Sequence, residues 1–133
     1  MARPRRLSLD IQEPERSFSV YRAVRTDDPN DAATLERGFQ SSAARGLPPR
    51  PGSVQVSTPF IYNGVSAYHS RKAALEHARA RRDIGKPIGT HVAEIVLQPG
   101  GDFEYAYWGD DGHLTVVADA VKLREAVADI VPI

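Results

Sequence analysis

The sequence predicts a single α+β domain: a mostly antiparallel sheet with helices packed beside it. Three observations carry this. Several short segments alternate apolar and polar side chains with the two-residue period of a strand. In the second half these segments are joined by tight turns, at Pro99-Gly100-Gly101 and Gly109-Asp110-Asp111-Gly112. One Ala-rich stretch, Arg71 to Arg82, has helical spacing instead. Strands joined by turns, with helices kept apart, make an α+β fold. The 133 residues suffice for one such domain, and no repeat or second unit is visible.

The elements follow in order. Residues 1–16 are rich in Arg, Glu and Pro and read as a flexible N-terminal arm, with the domain spanning 17–133. Ser17 to Val24 alternates: Phe18, Val20, Arg22 and Val24 share one side, and Ser19, Tyr21 and Ala23 the other. Asp27-Asp28-Pro29-Asn30-Asp31 is a turn and a helix entry. Ala32 to Arg37 forms a short helix that Gly38 ends. Residues 40–58 form a long loop of Ser, Gly, Pro and Arg, a length that tends to be functional or mobile. Phe60-Ile61-Tyr62 starts a strand, Asn63-Gly64 turns, and Val65 to His69 is the second clear strand. Ser70 caps the helix 71–82, whose apolar side is Ala74, Leu75 and Ala78; Gly85 and Pro87 close it. His91–Leu97, Phe103–Trp108 and His113–Ala118 are further strands. Asp119 caps a helix over Val121–Val127, and 129–133 is an edge strand.

Composition narrows the function. Seventeen basic and seventeen acidic residues cancel, which argues against nucleic acid as a dedicated partner. With no cysteine there is no disulfide framework and no thiolate metal site. No apolar stretch approaches a membrane span, so a soluble, cytoplasmic protein without a membrane partner is expected. The four histidines lack metal spacing, and no metal is expected.

Three groups of residues could carry chemistry. Arg22 shares a strand face with apolar residues, where a charge is costly unless paired or placed at a cleft; a solvated strand end is the bland alternative. Ser66, Tyr68 and Ser70 share one face of the second strand, which could equally be the wet side of a half-buried sheet. No G-x-S-x-G turn surrounds Ser66. Asp102 and Glu104, in line at a strand start, could stabilise developing positive charge or could be a solvated entry.

Together these pieces resemble the mono-ADP-ribosyltransferase fold, of the small bacterial toxin type, over about residues 18–118. An aromatic–Arg pair ends the first strand in that family, as Tyr21-Arg22 does here. A second strand then bears a Ser-Thr-Ser or Tyr element and runs into an Ala-rich helix. Ser66-Ala67-Tyr68-His69-Ser70 followed by Ala73-Ala74-Leu75 is similar, although Tyr68-His69 departs from Ser-Thr-Ser. A later acid completes the family's site; Asp102 or Glu104 is similarly placed, with Glu94 as a rival, and no clean Glu-x-Glu or Gln-x-Glu follows the second strand.

The resemblance implies NAD as substrate, in an ADP-ribosyltransferase or NAD glycohydrolase. Arg22 would contact ribose or phosphate, Ser66 the nicotinamide-side ribose, and Tyr68 the nicotinamide ring. Tyr21 adjoins that site, and Arg45 and Arg50 of the long loop would cover adenine or diphosphate. The acid would favour the oxocarbenium-like state as nicotinamide leaves. The acceptor could be a protein, a nucleic acid, a small molecule or water. The rival reading is a non-catalytic interaction module, such as an immunity or antitoxin-like protein with a cognate protein partner. A third is an RNA-processing toxin using His69 or His91 with Arg22. The enzyme reading expects Arg22 and Ser66 on adjacent strands, facing one cleft with an acid.

Overall fold

Alternation along Phe18–Val24 produces strand β1, with Val20 and Val24 buried on one side. The computed structural model describes residues 10–41, 43–46, 60, 63–107 and 112–133. After β1 come α1 (Ala32–Arg37), β2 (Val65–Tyr68), α2 (Arg71–Asp83), β3 (His91–Leu97), β4 (Glu104–Tyr107), β5 (His113–Val117), α3 (Ala120–Glu125) and β6 (Val127–Pro132). The strands form one six-stranded sheet in the order β4-β5-β2-β1-β3-β6, and every neighbouring pair is antiparallel. The α+β expectation therefore holds among the described residues.

Helices α1, α2 and α3 each begin where a short polar side chain can replace the missing intrahelical partner. Asp31 accepts from the Ala33 amide, Ser70 from Ala73 and Asp119 from Val121. Helix α2 ends on Gly85 at φ 75°, a left-handed position that glycine adopts without steric cost. The amides of Gly85 and Lys86 then return to the carbonyls of Arg82 and Arg81. Gly38 ends α1 differently: its φ is −65°. A Cβ there would sit 3.0 Å from Val24 Cβ, so the small residue serves close packing on β1.

Two expected boundaries shift. Helix α3 stops at Glu125, and β6 starts at Val127, because pairing with Ile95 draws those residues into the sheet. Phe60 is helical, not extended, and Ile61 and Tyr62 lie outside the described residues. Most of loop 40–58, including Arg50, lies outside them too. So do the hairpin turn 109–111 and Trp108, the last residue of the strand expected over Phe103–Trp108. Gln12 of the N-terminal arm is tied down, exchanging two 2.9 Å backbone hydrogen bonds with Tyr105 of β4.

The two faces of the sheet are covered differently. Val20, Ile95, Leu97 and Leu114 point to one face and meet Leu35 of α1, Phe39 and Leu123 of α3 in the core. Helix α2 packs on β1, β2 and β3 from the other face, burying Ala74 and Ala78 while Leu75 is half-buried. Phe18 of β1 and Tyr105 of β4 have ring centroids 5.0 Å apart, although β2 and β5 intervene. Three strand spacings in a flat sheet would separate them by about 14 Å. The sheet therefore curls around the core face. No helix among the described residues is long and apolar enough to cross a membrane.

Candidate functional site

The β1–β2 boundary is the weak seam of the sheet. β1 pairs with β3 along its whole length, from Phe18↔Leu97 to Val24↔His91, but meets β2 through Tyr21↔Tyr68 alone. Beyond that pair a side chain takes over from the ladder. Arg22 crosses the seam, donating from Nη1 to the Ser66 carbonyl at 2.7 Å and from Nε to the Gly38 carbonyl at 2.9 Å. Two main-chain acceptors that no strand neighbour serves are thus satisfied by a guanidinium, whose fork of donors suits the geometry.

This position is costly for a cation. Loss of water, and then the neighbouring charge of Arg45, push the Arg22 pKa down from its ordinary value to about 10. Arg45 itself is exposed, in the turn at 43–46. No carboxylate among the described residues forms an ion pair with either arginine. The combination is a partly desolvated cation beside a second cation, held by neutral carbonyls. An anion placed there would offset both penalties.

The register corrects the expectation that Arg22 and Ser66 face one cleft. Tyr21 and Tyr68 are directly opposed, so they share a face, and Ser66, two residues from Tyr68, shares it. Arg22, next to Tyr21, leaves from the other face. The two residues do sit on adjacent strands. They meet through the Ser66 main chain, not through its hydroxyl.

On the Ser66 face, register lines up a row of functional side chains across five strands. Asp129 opposes Glu94, Glu94 opposes Tyr21, Tyr21 opposes Tyr68, and Tyr68 opposes His113. Arg71, in the first turn of α2, covers one end of it. Its guanidinium lies 5.6 Å from the Tyr21 ring centre and bonds Glu94 at 3.0 Å and Asp129 at 3.2 Å. Ser19 donates to the other Glu94 oxygen at 2.8 Å. At the other end Tyr68 stacks on His113, with centroids 5.1 Å apart and planes 21° from parallel, and touches His77 of α2 at 5.4 Å. Ser66 Oγ lies 2.5 Å from His113 Nε2.

Asp102 and Glu104 are not brought to this row. Asp102 occupies a positive-φ turn and pairs with Lys122 of α3, which holds its carboxyl below the usual range. Glu104 opposes Val117, whereas Ser66 opposes Thr115 and Tyr68 opposes His113. Two strand spacings and four residues of rise put Glu104 about 16 Å from Tyr68. Glu94 is in the row itself, about 10 Å from Tyr68 by the same spacing. Sequence reading missed His113 as a partner of Ser66. No local signal marks it, because β5 reaches β2 only across the sheet, after α2, β3 and β4.

Among the described residues no group of three His, Asp or Glu is arranged to hold a metal ion. Comparison with protein-family models, with curated proteins and with solved structures finds no match to this chain.

Proposed function

We propose that the protein binds NAD at the β1–β2 seam and cleaves it, as an ADP-ribosyltransferase or NAD glycohydrolase of toxin type. One observation carries this reading: Arg22 is desolvated, stands near Arg45 and has no carboxylate partner among the described residues. A diphosphate is the kind of group that would satisfy such a pair. The row of Tyr68, Tyr21 and Glu94 lies on the sheet face opposite Arg22, so one NAD would have to cross the seam beyond Tyr21↔Tyr68, where the ladder is interrupted, to reach both. In this proposal Ser66 borders the nicotinamide-side ribose, and Tyr21 lies between the nicotinamide ring and the acid. The acid is Glu94, chosen over Asp102 and Glu104 because it shares the row with Tyr21 and Tyr68. Its carboxylate is held and oriented by Ser19 and Arg71, where it would favour positive charge developing at the ribose carbon.

Calorimetry with NAD and a nicotinamide-release assay test the proposal. Arg22→Ala should weaken binding by about 1.5–3 kcal/mol, the worth of a charged hydrogen bond. Glu94→Gln should slow release while leaving binding nearly intact, because it removes an interaction made mainly in the transition state. Asp102→Asn and Glu104→Gln should change neither. No binding at millimolar NAD by the unaltered protein would overturn the reading. The non-catalytic interaction module would then stand, with Arg22 and Glu94 serving only as internal fasteners.

A further inference from the structure

We infer a second activity on the Ser66 face: Ser66 and His113 form a nucleophile–base pair that accepts acyl groups from small activated esters. The inference does not depend on NAD binding.

The argument begins with reach. Ser66 Oγ and His113 Nε2 are 2.5 Å apart, within the distance over which a hydroxyl passes its proton to an imidazole. This contact is built by the sheet. Ser66 opposes Thr115, and His113 lies two residues further along β5, which makes it the diagonal neighbour on the same face. The imidazole is also oriented. Tyr68, directly opposite, stacks nearly parallel on it, which fixes the ring plane and leaves Nε2 aimed at the hydroxyl. Finally the pair is reachable: Ser66 is exposed and His113 half-buried. A nucleophile within hydrogen-bond distance of a base, with the base held by a third group, is the arrangement that activates a serine.

The chemistry balances with water as the one co-reactant. Ser66 Oγ attacks the ester carbonyl carbon while its proton passes to Nε2. The tetrahedral adduct collapses, the ester C–O bond breaks, and the leaving alcohol takes that proton. Water then attacks the acyl-serine with Nε2 as base, releasing the carboxylic acid and restoring the hydroxyl. A small ester with a good leaving group suits an exposed serine, where no deep pocket is needed to hold it.

The test is hydrolysis of p-nitrophenyl acetate, with peptide mapping of the acetyl adduct. Acetylation should map to Ser66, and Ser66→Ala should abolish it. His113→Gln, which keeps a polar side chain of similar reach, should slow acetylation at least about a hundredfold, the low side of what general bases contribute. His91→Gln is the control for surface imidazoles and should leave the rate unchanged. Circular dichroism of each variant separates lost reactivity from lost folding. Acetylation spread over lysines and other histidines, or an unchanged Ser66 adduct in His113→Gln, overturns the inference. Ser66 acetylation in a protein that fails to bind NAD would sustain it and remove the NAD reading alone.

Discussion

The two faces of β1 lie less than a side chain apart and obey different rules. On one face, Val20 and Val24 enter a core with Ile95, Leu97 and Leu114, and all five are at most 1% exposed. On the other face, Ser19 and Tyr21 adjoin Glu94, Arg71, Tyr68 and His113, each of which has a polar or ring partner. The first face gains from being removed from water and tolerates no polar atom without a partner. The second keeps its polarity because helix α2 covers it with a guanidinium and an imidazole at Arg71 and His77, and with small residues at Ala74 and Ala78. One strand thus serves stability with its even-numbered residues and candidate chemistry with its odd-numbered ones. Arg22 is the exception, a polar group on the core face, and it lies where the ladder to β2 is interrupted.

The sharpest way to break this comparison is to shorten one side chain on each face of the neighbouring strand β3. Ile95 is fully buried, while its neighbour Val96 is half-buried on the other face. Ile95→Ala should cost about 2–5 kcal/mol, combining lost burial with a cavity that the packed core cannot close. Val96→Ala should cost about 1 kcal/mol or less, because its methyls are only partly withdrawn from water. The main-chain bond from Val96 to the Ala126 carbonyl survives in either case. Guanidinium unfolding of the two variants measures both. Equal losses would mean that α2 seals the second face as tightly as the core seals the first.

A smaller effect probes the helix that covers the polar face. Ser70 Oγ accepts from the Ala73 amide at 3.1 Å and starts α2 immediately after β2. Ser70→Ala should cost about 1 kcal/mol of stability. It should also loosen Arg71, the next residue, and so weaken its hold on Glu94 and Asp129. Ser70→Asp restores an accepting oxygen and should recover most of the loss. A cost well below about 0.5 kcal/mol for Ser70→Ala, read from the unfolding midpoint, would show that packing alone fixes where α2 begins.

How legible these features were in the sequence follows the same division. The strands β1, β3 and β5 could be read because alternation is a local property, and the helix starts because Asp and Ser stand directly before helix-forming stretches. Arg22 stood out as a charge among apolar residues. Its partners, the carbonyls of Gly38 and Ser66, could not be read, since main-chain acceptors leave no trace in residue identity. The row from Asp129 to His113 needs four registers at once, and each register depends on turns and crossovers that local pattern does not specify. In the sequence Asp102 and Glu104 stand in line at a strand start. Two positions on one face say nothing about which end of a neighbouring strand they reach.

The smallest expected effect is at Asp102, and it sharpens the contrast from the far end of the sheet. The hydrogen bond from Lys122, and then its charge, hold the Asp102 carboxyl below the ordinary carboxylate range. A pKa lower in the folded than in the unfolded state means the folded protein binds this proton less readily. The pair therefore supports folding above the unfolded value of about 4, and that support disappears as the pH falls through the lower folded value. Asp102 is exposed, so the support is slight and screened by salt. Asp102→Asn keeps a residue that tolerates the positive φ of 60° and removes the titration. Unfolding midpoints should differ slightly between wild type and variant near neutral pH and converge under acid conditions, with the difference also shrinking in high salt. NAD binding and Ser66 acetylation should be untouched, because Lys122 and Asp102 lie on the α3 side of the sheet and the row lies under α2. A pH-independent difference in midpoint would assign the effect to the turn itself, and altered NAD binding would return Asp102 to the list of site residues.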